Sequence, residues 1–248
     1  MSGFPPTWYR AALPPALQTA YRQITAALLR MERSVPLRPP VPQERVKEVV
    51  QAVHKDHPEL FYVNFWRFQT TASHRGCIRL NFQFLLEPAA IRACRRTVNQ
   101  RIGEIRQLCE TVPPENRYHR IARCIASDVR YQQEHNEDAL LFHSITGALL
   151  NHRSVCEGIA KLFLLYCQHL QLPCVLIYGT LGGQPHAWNM VETKQGLRHI
   201  DVTAELGFAG VTGFCMPGLM KRGETLRAQG YSWEPIGLSE EVSRCAAE

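Results

Sequence analysis

Three side chains in the C-terminal half have the types and the chain order for nucleophilic chemistry: Cys156, His186 and Asp201. Cys156 heads the apolar stretch SVCEGIAKLFLLYCQHLQLPC, which starts at Ser154. A thiol in the first turn of a helix meets unpaired backbone N–H groups and the positive end of the helix dipole, and both favour the thiolate. His186 lies in PHAWNMVE and Asp201 in LRHIDVT. A thiolate beside an imidazole that a carboxylate orients is the general arrangement for acyl transfer through cysteine. Each residue alone also has an ordinary reading: a packed cysteine, a strand histidine beside tryptophan, a turn or strand-end aspartate. The ordered set carries the chemistry that no member carries by itself.

The elements must bring the three together. Ile159, Leu162, Phe163, Tyr166 and Leu170 recur on one face, which predicts a helix from about Val155 to His169. Pro173 disfavours helix at Leu172 and ends it. CVLIYGT then reads as a buried strand, GGQP as a turn, HAWNMVE as a second strand, TKQG as a hairpin turn and LRHIDVT as a third strand. In that meander His186 shares a face with Trp188 and Met190, and Asp201 shares one with His199 and Leu197. The hairpin makes His186 and Asp201 close to cross-strand neighbours, so one imidazole nitrogen meets the carboxylate and the other faces the thiol.

Upstream, Leu17, Tyr21, Ile24, Leu28 and Met31 mark one helix, and Val46, Val49, Val50 and Val53 a second. The period then changes: ELFYVNFWRF and CIRLNFQFLL read as strands, the latter with Ile78, Leu80, Phe82 and Phe84 on one face. A helix from Pro88 to about Cys109 suits proline at a first turn, and another from about Asn116 carries Ile121, Ala122, Ile125 and Val129. The polar loop YQQEHNEDA and a short helix near Ile145 to Leu150 lead to Cys156. The reading is α+β, with a mainly helical N-terminal part holding a small β-hairpin over residues 1–112 and a core over residues 113–248. Proline doublets punctuate the chain. Trp8, Tyr9 and Leu13 mark a segment that packs on the core or on a second subunit.

The bulk properties exclude several classes. With 248 residues, 45% apolar and 20% charged, the chain is ordinary globular material. The net charge of +6 is spread out, and the densest basic run, Arg92 to Arg106, is interleaved with Ile91, Val98, Ile102 and Ile105. That pattern is a solvated helix face rather than a nucleic-acid site. Nine cysteines without a C-x-x-C pair do not make a disulfide framework. The N-terminus lacks a secretory leader pattern, and Leu162 to Cys167 is too short to span a bilayer. These features predict a soluble, cytoplasmic protein with reduced thiols, eight of them small buried hydrophobes.

VCEGIAKLFLLYCQHLQLPC, PHAWNMVE and RHIDVT resemble the three motifs of the transglutaminase-like superfamily, a branch of the papain-like cysteine enzymes. Those motifs are C-x-G-[YF]-A, H-A-W, and an aspartate followed by a small residue and threonine. HPELFYV, IASDVRYQ and SITGALLNHRSVCEG extend the resemblance to stand-alone bacterial members, over roughly residues 15 to 235. The resemblance implies Cys156 as nucleophile, His186 as general base and acid, Asp201 as the group orienting His186, and a nucleophile helix packed on an antiparallel sheet. The Cys156 N–H is then the natural first oxyanion donor. Asn189, Trp188 and His199 lie near by motif position, each with an alternative packing role. Glu157 either tunes the thiol or simply suits the helix dipole. Ile159 stands where tyrosine or phenylalanine is usual, and Ala204 where tryptophan is common; both bear on the cleft rather than the triad.

Metal sites fare less well. His152 with Cys156, and His119 with Cys124, lack the four ligands of structural zinc, and YGTLGGQP lacks the lysine of a phosphate loop. No cofactor or metal is expected. The implied reaction is thiol-dependent attack on a carboxamide of a peptide or protein, with no nucleic-acid or membrane partner. Water as acceptor gives a peptidase or amidase, the preferred reading; an amine acceptor gives a transglutaminase, and a glutamine substrate a deamidase. The rival from another class is a non-catalytic scaffold of the same fold.

Overall fold

The computed structural model describes residues 7–132, 139–206 and 219–234. Cys215, Cys245 and most of the polar loop Tyr131–Ala139 lie outside the described residues. The described chain groups into two compact units. The first, Thr7–Ala93, holds α1 (Trp8–Ala12), α2 (Pro15–Leu29), β1 (Ser34–Val41), α3 (Val46–Asp56), β2 (Val63–Ser73), β3 (Gly76–Phe84) and the start of α4 (Pro88–Cys109). The second, from Cys94 on, holds the rest of α4, then α5 (Pro114–Asp128), β4 (Arg130–Tyr131), α6 (Ala139–Phe142), α7 (Ile145–Leu150) and β5 (Arg153–Ser154). It continues through α8 (Cys156–His169), β6 (Cys174–Leu181), β7 (Gln184–Thr193), β8 (Gly196–Ile200), α9 (Val202–Leu206), β9 (Met220–Lys221), α10 (Gly223–Ala228) and β10 (Tyr231–Trp233). The fold is α+β.

In the first unit, α2 and α3 bury the apolar stripes that their periods predict, Leu17, Tyr21, Ile24 and Leu28 on one, Val46, Val49, Val50 and Val53 on the other. Met31 belongs to the end of α2 rather than to its body. It adopts φ 63°, while the Glu32 amide donates to the Ala27 carbonyl and the Met31 amide to Leu28, a Schellman stop. Trp8 and Leu13 are buried. Asp56 caps the start of α1 from a distance, accepting from the Tyr9 and Arg10 amides at 3.0 and 2.8 Å.

The sheet of this unit has the order β1-β3-β2, all antiparallel. Its first strand was not visible in the sequence, because Ser34–Val41 contains three prolines. An edge position, where amides on one side are not needed for the ladder, tolerates them. Glu59 to Tyr62, expected in a strand, form a 3-10 turn and its exit, since Pro58 starts that turn. Ile78 also departs from expectation: it is 37% exposed while Cys77 is buried. Thr71 pairs with Arg79 and Ala72 with Cys77, so Ile78 is the extra residue of a β-bulge, which reverses the alternation on its far side.

The second unit sets α8 against a five-stranded antiparallel sheet of order β10-β6-β7-β8-β9. Every α8 residue from Glu157 to Cys167 is buried, so the helix is central, and each large apolar side chain placed there contributes about 1.5–3 kcal/mol. Tyr118 of α5 stacks on Phe163 with centroids 6.4 Å apart. The helix ends in a second Schellman stop, with Gln171 at φ 55° and the Leu172 amide on the Cys167 carbonyl. Gly182 and Gly183, at φ 58° and 81°, form the two-residue turn joining β6 to β7, which needs positive φ at both positions. Gln184 and Pro185 already belong to β7.

All seven described cysteines are unpaired; Cys77, Cys109, Cys167 and Cys174 are buried, whereas Cys94 and Cys124 are only half-buried. Among the described residues, no helix is long and apolar enough to cross a membrane.

Candidate active site

Cys156 is the first residue of α8, and Val155 before it has extended backbone and no capping side chain. The opening turn therefore presents its N–H groups without a side-chain acceptor of its own. Its position is fixed from behind: β5 pairs in parallel with β4, Tyr131 against Ser154, and the Val155 amide donates to the Phe142 carbonyl. Gly158, one turn in, allows this approach. A Cβ there would lie 2.2 Å from Ser154 Oγ, 2.5 Å from the Phe142 carbonyl oxygen and 2.7 Å from that of Ser144.

His186 stands on β7 opposite Gly179 of β6, and its Nε2 lies 2.7 Å from Asp201 Oδ2. Nδ1 is the nitrogen left for the thiol. The Cys156 sulfur is close enough for both hydrogen bonding and charge to bear on the ring. Burial lowers the His186 pKa, but hydrogen bonding and charge from Asp201 and Cys156 outweigh it and raise the value to about 9, since both favour imidazolium. The three residues read from the sequence are thus together.

Asp201 departs from the expected position. β8 ends at Ile200, and Asp201 stands between it and α9. Its Oδ1 accepts from the Thr203 and Ala204 amides at 2.9 and 3.3 Å, as an N-cap does. Its Oδ2 accepts from His186 and also from the Tyr231 hydroxyl at 2.7 Å. Four donors hold one carboxylate in place. Burial, with the Asp201 charge, pushes the Tyr231 hydroxyl far above its ordinary range, so it remains a donor.

An aromatic set backs the imidazole. Trp188 stacks on His186 at 5.9 Å and meets the Tyr231 edge at 5.2 Å. The Trp188 Nε1–H donates to His199 Nδ1 at 2.9 Å. His199 is buried, and burial first, then the Arg227 charge, lowers its pKa to about 4; it is a neutral acceptor rather than a second base. Asn189 donates to the Ala160 carbonyl at 3.0 Å and so ties β7 to α8.

Glu157 stands in the first turn of α8, where an acid suits the helix dipole. It is buried, with Oε2 2.7 Å from His143 Nδ1 and Oε1 accepting from the Tyr178 hydroxyl at 2.7 Å and from Lys161 Nζ at 2.8 Å. Lys161 in turn donates to the His143 carbonyl at 3.2 Å. This buried ion pair joins the first turns of α8 to the α6–α7 connection and to β6. The i, i+4 spacing of Glu157 and Lys161 was legible in the sequence; their burial was not. Tyr131 is another addition, 44% exposed and close enough to Cys156 and Asp201 for both charges to act on its hydroxyl, whose pKa burial chiefly raises. Tyr231, thirty residues beyond Asp201, gave no signal in the sequence. His152 pairs with Asp128, and among the described residues no three metal-ligating side chains are grouped.

No curated protein sequence matches the chain significantly. Two solved structures are similar to it over part of its length. One, a TGase, aligns at 11% identity over 73% of this chain and 51% of its own, with a TM-score of 0.40. The other, a proposed cysteine protease from Cytophaga hutchinsonii, aligns at 11% identity over 55% of this chain and 61% of its own, with a TM-score of 0.36. The chain spans about half the length of the first. Residues 106–202, the stretch that holds Cys156, His186 and Asp201, match the sequence profile of the transglutaminase-like superfamily.

Proposed function

We propose that the protein is a cysteine-dependent acyl-transfer enzyme acting on amide bonds of peptides or proteins, with Cys156, His186 and Asp201 as its working residues and water as its acceptor. The observation that carries the reading is the half-buried His186 ring, held through Nε2 by Asp201 and close enough to Cys156 for hydrogen bonding and charge to act.

In the first half-reaction the Cys156 sulfur attacks the carboxamide carbon and its oxygen becomes an oxyanion. The Cys156 N–H at the head of α8 is the natural donor to it. Collapse breaks the C–N bond, and imidazolium at His186 gives its proton to the departing amine. The raised pKa of about 9 supports this, since the ring carries that proton at neutral pH. In the second half-reaction His186 takes a proton from water, the oxygen attacks the thioester, and the C–S bond breaks to release a carboxylic acid. Asp201 keeps Nε2 engaged throughout, fixing the tautomer. The half-buried Cys156 and the exposed Tyr131 beside it leave water a route to the thioester, which favours hydrolysis over transfer to an amine.

Residues 113–248 constitute the catalytic core in this reading. The unpaired thiols suit a reducing cytoplasm. Neither nucleic acid nor membrane takes part.

Two measurements test it. Iodoacetamide should label Cys156 ahead of the other thiols at neutral pH, and Cys156→Ala should abolish that labelling; unchanged labelling, or preference for another cysteine, counts against the assignment. The purified protein is also incubated with a glutamine-containing peptide mixture, with and without a primary amine. Chain cleavage or amide hydrolysis is expected by mass. Amine incorporation would assign transglutamination, loss of ammonia from glutamine alone would assign deamidation, and no mass change would leave a scaffold.

A further inference from the structure

The sheet of the first unit carries an unused surface. β2 is its outer strand on one side, and among the described residues no strand pairs with its far edge. From Gln69 to Ser73 every residue is exposed, so the backbone donors and acceptors there are accessible. Where this edge begins, β2 makes an irregular step: Asn64 faces Gln83 and Phe68 already faces Phe82. The Asn64 side chain holds the excursion, accepting from the Trp66 and Arg67 amides at 3.1 and 3.2 Å. The result is a tryptophan 60% exposed, its ring edge-on to His54 at 5.6 Å.

Trp66 separates two depressions. One, of about 320 Å³, lies between α3 and β2 and is floored by Val50 and Phe65. The other, of about 620 Å³, runs beside Arg33, Arg67 and Gln83. The charge of this sheet has one sign. No aspartate or glutamate occurs in residues 33–43 or 61–86, whereas Arg33, Arg38, Arg67, Arg75 and Arg79 do. Two other arginines of the unit are matched, Arg30 with Glu32 and Arg45 with Glu48. Arg33 instead lies over the Phe84 ring at 5.1 Å, and Arg79 donates to Ser34 Oγ at 2.9 Å.

We propose that this edge docks an extended acidic segment of a partner protein, which adds to β2 as a further strand, sets an apolar side chain against Trp66 and places a carboxylate on Arg67. Strand addition supplies affinity through the main chain, and the flanking pockets select side chains. A second copy of this chain would bring arginine edge to arginine edge, a device that keeps strands apart. Single-stranded nucleic acid uses two or three exposed rings in its sheet sites, against one here. The inference is independent of the activity proposed above.

The test uses the full chain and short fluorescein-labelled peptides, read by fluorescence anisotropy. A peptide alternating glutamate with valine should bind saturably and weaken as salt rises. Binding should fall about tenfold or more in Trp66→Ala, and likewise in Arg67→Glu. It should also fall that much when alternate peptide amides on the pairing edge are N-methylated. Trp66 is exposed, so its removal should leave the circular dichroism spectrum unchanged, which separates lost docking from lost fold. The proposal is overturned if the lysine counterpart of the peptide binds equally, if N-methylation has no effect, or if both variants bind like the parent. Displacement of the peptide by oligo-dT at lower concentration would overturn it in favour of nucleic acid.

Discussion

At the scale of single residues, the site is governed by how one carboxylate is shared. Asp201 serves His186 and Tyr231 with one oxygen and caps α9 with the other. Asparagine is as good an N-cap as aspartate, so Asp201→Asn keeps the cap while removing the charge that raises the His186 pKa. The expected outcome is a fall in the neutral-pH alkylation rate of Cys156 by about tenfold or more, with the unfolding midpoint moved far less in proportion. An unchanged alkylation rate would mean that Asp201 only builds structure. The identities of the three candidate residues were legible because their types and order are distinctive. Tyr231 and the Glu157–Lys161 pair were not, because a hydrogen bond across thirty residues and the burial of an ion pair are properties of packing.

At the scale of elements, the head of α8 depends on close backbone approach. Two of the three atoms that a Gly158 Cβ would meet are carbonyl oxygens, which cannot swing aside. Gly158→Ala should therefore cost about 1–3 kcal/mol, seen as a lower urea midpoint at constant slope. Gly103, inside α4, has nothing within 4 Å of its Cβ position. Gly103→Ala should instead stabilise by about 0.5–1 kcal/mol. Equal responses at the two positions would discount the crowding at α8. The long helices were well forecast, since a 3.6-residue apolar period reports burial directly: α4 and α8 fall within a residue of expectation. Strands were forecast less well. The bulge at Ile78 and the prolines of β1 both break the two-residue rule that sequence patterns rely on.

At the scale of the whole molecule, two histidines of one sheet make stability depend on pH in opposite directions. The His186 pKa rises to about 9, so its contribution is complete below about 6.5 and is lost as pH climbs through 9. The His199 pKa falls to about 4, so its contribution is complete above about 6.5 and is lost as pH drops toward 4. Each limb is worth on the order of 3 kcal/mol. Thermal unfolding across that range should give a maximum near neutrality, and Asp201→Asn should flatten the alkaline limb alone. A parent profile that is level from pH 6.5 to 9 would contradict the charged His186. Taken by itself, the sequence determined the α+β class, the positions of the long helices and the three candidate residues, because apolar period and residue type are local properties. Only the tertiary structure decided that Asp201 caps a helix, that Tyr231 shares it, that Glu157 is spent on an internal ion pair, and that Trp66 stands exposed beside an open strand. Each of those depends on which distant segments meet, and neither spacing nor composition encodes that.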